Sequence, residues 1–441
     1  MRLAALPEAR KLVFFVGEEL ALFGAFVVAA LLVAHVEGAA PPRLLLVEAV
    51  AVTLTLQLGL YLADLYDFKV AFRDAPRATR LLKALGAVTI ACGVAVLILP
   101  RPWHAGTVAV AGLGGACTVA LVLRAALPDL GRRLALRARV FLVGEGERAQ
   151  ALSREIAADG QLEVVGSIAP TRPGLLARAQ AAEAGAIVVA VDDRRGLDVR
   201  ELLACRLAGL EVLDAIDFTE RALKKIPAEL TRPSDLVFSD GFDRAPWLLG
   251  ARRLVSLMVA LALFVLALPI LLVAALLIKL DSPGPLFYSQ ERVGAHGGVF
   301  RMLKFRTMRK DAEQAGQAQW AQKNDPRITR VGVWLRRFRI DELPQLLNVL
   351  KGEMGVVGPR PERPQFVAQL RTQIPYYDLR ALVPPGITGW AQIRYPYAAS
   401  LEEARMKLQY DLYYVKHLSV WLDLVILFHT AKVVLFGRGA R

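Results

Sequence analysis

Asp341 and Glu342 stand side by side at the head of Asp341-Glu-Leu-Pro344-Gln345-Leu-Leu-Asn-Val-Leu-Lys-Gly352. Adjacent carboxylates can hold a divalent cation or attack phosphorus, provided nearby cations neutralise the charge that develops. Pro344 suits a first helical turn and Gly352 a C-terminal stop, so the spacing predicts a helix with both acids at its N-terminus. Exposed N–H groups at such a terminus favour carboxylate and phosphate. A capped helix start is the plainer account of the same two acids.

Neighbouring segments shift the balance towards phosphate. In Phe300-Arg-Met-Leu-Lys304-Phe-Arg306-Thr-Met308 the two cations are two residues apart, which on an extended strand puts them on one face, suited to a diphosphate. Gly355-Val-Val-Gly-Pro-Arg360-Pro361-Glu362 holds one arginine between prolines, so it loses little entropy on forking onto a phosphate. Pro384-Pro-Gly-Ile-Thr388-Gly-Trp390-Ala-Gln-Ile393 is a second rigid loop, with a buried turn as the alternative. Together these segments describe a metal-assisted phosphate site around Asp341 and Glu342. Residues 309–327 are polar and read as a loop or exposed helix, and 328–339 as an amphipathic basic helix.

The elements that carry this site are set in a membrane protein. The chain has 441 residues, 55% hydrophobic content and a net charge of +14. Its mean hydropathy of +0.40 is too apolar for an ordinary soluble enzyme. Apolar runs at about 12–36, 44–64, 84–100 and 107–126 each approach the length needed to cross a hydrocarbon core, and no cleaved signal peptide is expected. Basic residues cluster before the first run, between the second and third, and after the fourth. The positive-inside rule then puts the N-terminus and everything after residue 127 in the cytoplasm. The basic balance points to anionic lipid or phosphorylated substrates, and nucleic acid is not expected. Three cysteines and five scattered histidines give no disulfide framework, zinc motif or Ser-His triad.

From about 138, apolar runs at 140–143, 162–168 and 186–191 alternate with helical stretches and predict a small doubly wound α/β domain. Gly144 and Gly146 resemble the start of a dinucleotide loop, but no acid ends the second strand. A bound cofactor and a tight strand-to-helix turn both remain open there. Residues 254–279 carry no charge before the closing Lys279 and contain Pro269 near the middle. A kinked spanning helix is one account. The twelve Lys/Arg against three Asp/Glu in 292–339 resist translocation and favour a re-entrant helix-break-helix that enters and leaves on one face. The apolar stretch 418–435, broken by Asp423, His429 and Lys432, fits an interfacial or packed helix better than another span.

Four ordered motifs, Lys304–Met308, Asp341–Gln345, Gly358–Glu362 and Pro385–Trp390, resemble those of the bacterial sugar transferases, the monotopic polyprenyl-phosphate phosphoglycosyl transferases. Arg327-Ile-Thr329, Tyr410-Asp411 and Tyr414 also fit, and Val356-Val357 departs mildly from the pattern. The whole chain resembles the long form. It implies a membrane α-helical bundle of four transmembrane helices over 1–130, a Rossmann-like α/β domain over 131–245, and a mixed, mainly α monotopic catalytic domain over 246–441 with a re-entrant helix at about 254–279. The resemblance implies transfer of a sugar-1-phosphate from a UDP-sugar to undecaprenyl phosphate at the cytoplasmic face of the inner membrane. Asp341 would be the nucleophile, and Glu342 would help bind Mg2+ or assist the acceptor. Lys304, Arg306 and Arg360 would neutralise phosphate oxygens. Pro361, Glu362, Arg292, Gln345, Thr388 and Trp390 would complete the substrate site, and a homodimer is expected. The motifs leave the sugar open.

Two other readings are set against this. A membrane-anchored NAD-dependent sugar oxidoreductase or epimerase needs a Tyr-x-x-x-Lys type pair in the α/β domain, yet no tyrosine occurs between residues 131 and 240. A non-enzymatic polysaccharide assembly scaffold leaves the four C-terminal motifs unused.

Overall fold

The computed structural model describes residues 6–38, 45–63, 65, 81–82, 84–90, 92–94, 103–133, 138–159, 162–229, 231–309, 327–395 and 400–435. The end of the third apolar run and almost all of the polar stretch 309–327 lie outside these. The chain divides into two compact units, residues 1–218 and 219–441.

In the first unit, helices α1 (Leu6–Val36), α2 (Leu45–Leu62) and α3 (Trp103–Arg133) bury Leu22, Phe26, Leu56, Leu60 and Val108 between them. Leu20, Val28, Leu32, Leu46 and Leu54 face outward, the inverse of a soluble bundle. A Cβ on Gly115 would meet the Ala25 carbonyl, so glycine lets α1 and α3 approach closely. Among the described residues three helices are long and apolar enough to cross a membrane: Phe15–Val36, Leu45–Leu62 and Pro246–Asp281. Ala84–Val94 and Thr107–Leu123 are shorter apolar helices, so two of the four expected N-terminal spans meet the length criterion.

The α/β part of this unit has a four-stranded sheet in the order β2-β1-β3-β4, parallel throughout. Its strands are β1 (Ala138–Val143), β2 (Leu162–Ile168), β3 (Ala186–Val189) and β4 (Glu211–Asp214). The central strands β1 and β3 are near-continuous apolar runs because helices cover both faces. The short β4 escapes sequence patterning, since a polar residue stands at each end of Glu-Val-Leu-Asp. At the Gly144-Glu145-Gly146 turn, a Cβ on Gly144 would strike the Ala190 carbonyl and one on Gly146 the Asp192 carboxylate. An acid therefore lies against the loop where a dinucleotide would bring its phosphates. This favours the tight turn over the cofactor.

The second unit begins earlier than the expected boundary near 245. Ile226 and Ala228 pack with Ile374, Tyr377, Leu408 and Leu412, and Glu220 bonds Lys416 and His417 at 2.8 and 2.6 Å. Packing therefore assigns 219–245 to the C-terminal unit. The expected helix-break-helix at 254–279 is one helix, α4 (Pro246–Asp281, 36 residues), with Pro269 inside it. Proline removes one bond of the ladder, which a helix of this length tolerates. Small residues Ala260, Ala267 and Ala274 form a buried seam at seven-residue spacing, and most of the remaining surface is exposed and apolar.

Ala260 packs on Leu346, Val349 and Met354, whereas Ala274 and Ile278 pack on Phe305 and Leu335. Both halves of the helix thus touch the same layer. That layer holds the hairpin β5 (Phe287–Val293) and β6 (Val299–Phe305), α5 (Arg330–Arg337), α6 (Gln345–Lys351) and the parallel pair β7 (Gly355–Val357) and β8 (Gly386–Thr388). The last helix, α7 (Val420–Leu435), turns Asp423 and Lys432 inward and Trp421, Leu424 and Phe428 outward. Arg252 of α4 bonds Asp423 at 2.8 Å, and the Tyr414 hydroxyl donates to Asp423 at 2.7 Å. This buried triad ties α4 to α7.

Candidate active site

Asp341 and Glu342 sit on a 3-10 turn, Ile340–Glu342, just before α6 rather than inside its first turn. Proline at 344 has no N–H to bond back towards Ile340, so the α-helix starts beyond it. Arg339 enters the turn with φ 57°, in the left-handed region, and redirects the chain from α5. Gly352, at φ 93°, ends α6 as the spacing predicts. Arg253 donates to the carbonyls of Val349 and Leu350 at 2.8 and 3.3 Å, satisfying the helix end.

The two acids have different surroundings. Oε1 of Glu342 accepts from Lys304 Nζ at 3.0 Å and from Arg360 Nη2 at 2.9 Å. Oε2 faces Arg339 at 3.7 Å. Burial raises the Glu342 pKa, but Arg360, Lys304 and Arg339 outweigh it and hold the carboxyl well below its ordinary value. Asp341 is buried, and among the described residues it has no hydrogen bond or ion pair. Burial, reinforced by the Glu342 charge, pushes its pKa up to about 6 against the pull of Lys304, Arg336 and Arg339. One carboxylate is a fixed anion holding two cations in place, while the other is unbonded beside them.

Lys304 and Arg360 therefore meet as expected, but Arg306 does not join them. The strand ends at Phe305, and the Arg306 guanidinium turns back to the Ser282 carbonyl at 2.6 Å, the Ser282 hydroxyl at 3.0 Å and the Pro283 carbonyl at 2.8 Å. It closes the turn that follows α4. Strand alternation gives a face, not the reach of a long side chain past the strand end.

Arg292 donates to the Pro361 carbonyl at 2.9 Å and lies 3.6 Å from Glu362. Burial lowers its pKa to about 10, so it stays charged at neutral pH. Arg360, Pro361 and Glu362 line an open cleft with Gly294, Tyr377 and Arg380. Gln345 is buried, its Nε2 without an acceptor among the described residues. Thr388 and Trp390 are placed in the core. The Thr388 hydroxyl meets that of Thr430 at 2.6 Å, and Trp390 Nε1 donates to the Lys224 carbonyl at 2.9 Å while its ring stacks on Tyr413.

Sequence reasoning missed two residues. Arg380 supports the Arg360 loop by donating to the Arg360 carbonyl and to Asp411, each at 2.9 Å. Gln392 accepts from Arg360 Nη1 at 3.2 Å. Asp411 was visible as part of a motif, but a lone arginine and a neutral amide carry no spacing signal.

No cluster of three or more His, Cys, Asp or Glu side chains poised for a metal occurs among the described residues. Magnesium is commonly held by one or two carboxylates together with substrate phosphates and water. The free Asp341 carboxylate fits that role, with Glu342 able to contribute through Oε2.

Residues 247–437 match the family model described as bacterial sugar transferase. The chain is 42% identical over 250 residues to a UDP-N-acetylgalactosamine-undecaprenyl-phosphate N-acetylgalactosaminephosphotransferase of Aeromonas hydrophila, covering 57% of this chain and 58% of that protein. It is 34% identical over 331 residues to an undecaprenyl-phosphate glucose phosphotransferase of Komagataeibacter xylinus, covering 71% and 62%. The matches thus span about three fifths of those two relatives. The exopolysaccharide production protein PSS of Rhizobium leguminosarum bv. phaseoli is 46% identical over 185 residues, which is 40% of this chain and 92% of the relative. With the acid pair, its two cations and the Pro-Arg-Pro loop inside the matched region, the chain belongs to the bacterial sugar transferase family.

Proposed function

We propose that the protein transfers a sugar-1-phosphate from a UDP-sugar to undecaprenyl phosphate, an early membrane step in building an extracellular polysaccharide. The observation that carries this is the unbonded Asp341 carboxylate beside a Glu342 that holds Lys304 and Arg360. In the proposed reaction an Asp341 oxygen attacks the sugar-bearing phosphorus of the donor. The bond from that phosphorus to the bridging oxygen breaks, and UMP leaves with that oxygen. The resulting aspartyl sugar-phosphate is attacked at the same phosphorus by an oxygen of the lipid phosphate, which frees Asp341. One phosphoanhydride replaces another, so no further energy source is needed.

Lys304 and Arg360 neutralise the phosphate oxygens as negative charge gathers. Pro361 and Glu362 border the cleft that takes the nucleotide end of the donor, and Arg292 holds their loop through the Pro361 carbonyl. Bound Mg2+, held by Asp341 with Glu342 and the donor phosphates, would offset further negative charge. Support for a re-entrant α4 comes from the packing of both its halves on the catalytic layer, together with the basic flanks. The outward apolar face of α7 extends that membrane surface. A scaffold role would give no reason for an isolated, buried carboxylate next to two cations.

The test is UMP release from UDP-glucose, UDP-galactose and their N-acetylated forms with undecaprenyl phosphate. Labelled donor alone should leave label on Asp341. Asp341→Asn should release no UMP and trap no label; full activity in that variant would end the covalent mechanism.

A further inference from the structure

Arg360 is held at both ends. Its carbonyl accepts from Arg380, which is itself fixed by Asp411 at 2.9 Å and by the Tyr377 hydroxyl at 2.7 Å. At its tip the guanidinium is divided between two acceptors. Nη2 donates to Glu342 Oε1 at 2.9 Å, and Nη1 donates to Gln392 Oε1 at 3.2 Å. Flanking prolines restrict the backbone between these anchors.

The two acceptors differ in charge. Glu342 cancels one positive charge of a cluster that has to meet a diphosphate. A second carboxylate at 392 would bind Arg360 more strongly and cancel its remaining attraction for phosphate. The neutral amide orients the guanidinium and leaves its charge in place. Gln392 lies in the short helix Trp390–Arg394, whose Trp390 is locked in the core, so the amide is presented from a rigid element. Its Oε1 is committed to Arg360, and its Nε2 is buried with no acceptor among the described residues. A structural glutamine would ordinarily satisfy both ends of its amide.

We propose that Gln392 is a positioning residue for the transfer reaction: it sets the Arg360 guanidinium between Glu342 and the donor diphosphate without neutralising it. This inference rests on the proposed transferase activity.

The experiment uses full-length protein in nanodiscs, with UMP release as the kinetic readout, UDP binding by calorimetry and thermal unfolding as a folding control. Gln392→Met keeps the length but removes the acceptor, and should lower kcat/KM between roughly ten- and a hundredfold, the scale of a misplaced catalytic group. Gln392→Glu keeps an acceptor but cancels charge. It should retain kcat within a few-fold while raising donor KM and weakening UDP binding, more strongly at low ionic strength. In an Arg360→Met background, Gln392→Met should cause no further loss. Additive losses, or a Gln392→Met enzyme equal to wild type, would overturn the inference. If Gln392→Met does not fold, the Gln392→Glu split between kcat and KM decides alone: tighter UDP binding or an unchanged KM refutes it. A wild type that releases no UMP from any donor sinks the proposed function instead.

Discussion

Arg360 reaches back across 18 residues to bond Glu342 at 2.9 Å, while Asp341, the immediate neighbour of Glu342, bonds nothing among the described residues. Two adjacent acids are thereby given opposite electrostatic fates. Glu342 is stabilised as an anion by three cations. Asp341 is destabilised as an anion by burial and by Glu342.

That contrast predicts a stability cost at Asp341. Its folded-state pKa lies near 6, against an ordinary 3.8, so the folded protein holds this proton more tightly than the unfolded chain does. The resulting stabilisation is complete below about pH 4 and is lost as pH rises through 6. Asp341→Asn removes the ionisation, and should gain up to about 3 kcal/mol above pH 7 and almost nothing at pH 4, at about 1.4 kcal/mol per pKa unit. Thermal unfolding of both proteins across this range should show the gap opening with pH. A constant gap would refute the raised pKa. UMP release by the wild type should climb through the same window, because the attacking group must be the anion.

Arg360→Lys should behave as a severe change. A lysine ammonium can bond Glu342 but cannot also span to Gln392 in the planar fork. We expect a loss on the order of tenfold to a hundredfold in kcat/KM with little change in the unfolding midpoint. Activity within twofold of wild type would show that the fork is dispensable.

Arg306→Met separates folding from chemistry. It strips three hydrogen bonds from the part-buried turn at Ser282 and Pro283. The expected cost is roughly 1–3 kcal/mol of stability, from the loss of three charge-assisted bonds. Molecules that remain folded should keep kcat within a few-fold. A selective loss of kcat at unchanged stability would return Arg306 to the phosphate site.

The course of α4 can be read by labelling. Gly284 is a poor place for a cysteine, because its φ is +135° and the Arg306 guanidinium occupies the space of a Cβ. Ser289 is exposed on β5, beyond the end of the helix. In a background lacking Cys92, Cys117 and Cys205, Ser289→Cys should react with an impermeant maleimide only in inverted vesicles. Labelling in intact cells would mean that α4 crosses the membrane.

Much of the site was legible because its chemistry is carried by short contiguous motifs. The acid pair, the cation on β6 and the Pro-Arg-Pro loop could each be picked out. What joins them is long-range: Lys304 meets Glu342 across 38 residues, and no local pattern encodes that meeting. Trp390 and Thr388 looked like ligand-binding residues because aromatic and hydroxyl groups in a glycine-rich loop serve binding and packing equally well. Gln392 stood in the same loop unnoticed, since a neutral amide gains meaning only from the arginine it faces. The membrane character was plain from hydropathy. The boundary at 218 was hidden, because Ile226 and Ala228 owe their place to partners more than a hundred residues away.

The alanine seam of α4 also sets a rule for insertions and deletions. Each added residue turns the following part of a helix by about 100°. One inserted residue between Ala260 and Ala267 would swing Ala267 and Ala274 away from the line that meets the catalytic layer and put bulkier side chains there. Seven inserted residues nearly restore the phase, with a drift of about 20°. They would still move the two ends apart by about 10 Å at 1.5 Å per residue. The length of this helix is therefore under tighter constraint than its composition: apolar residues on its outward faces can be exchanged freely, but its residue count cannot.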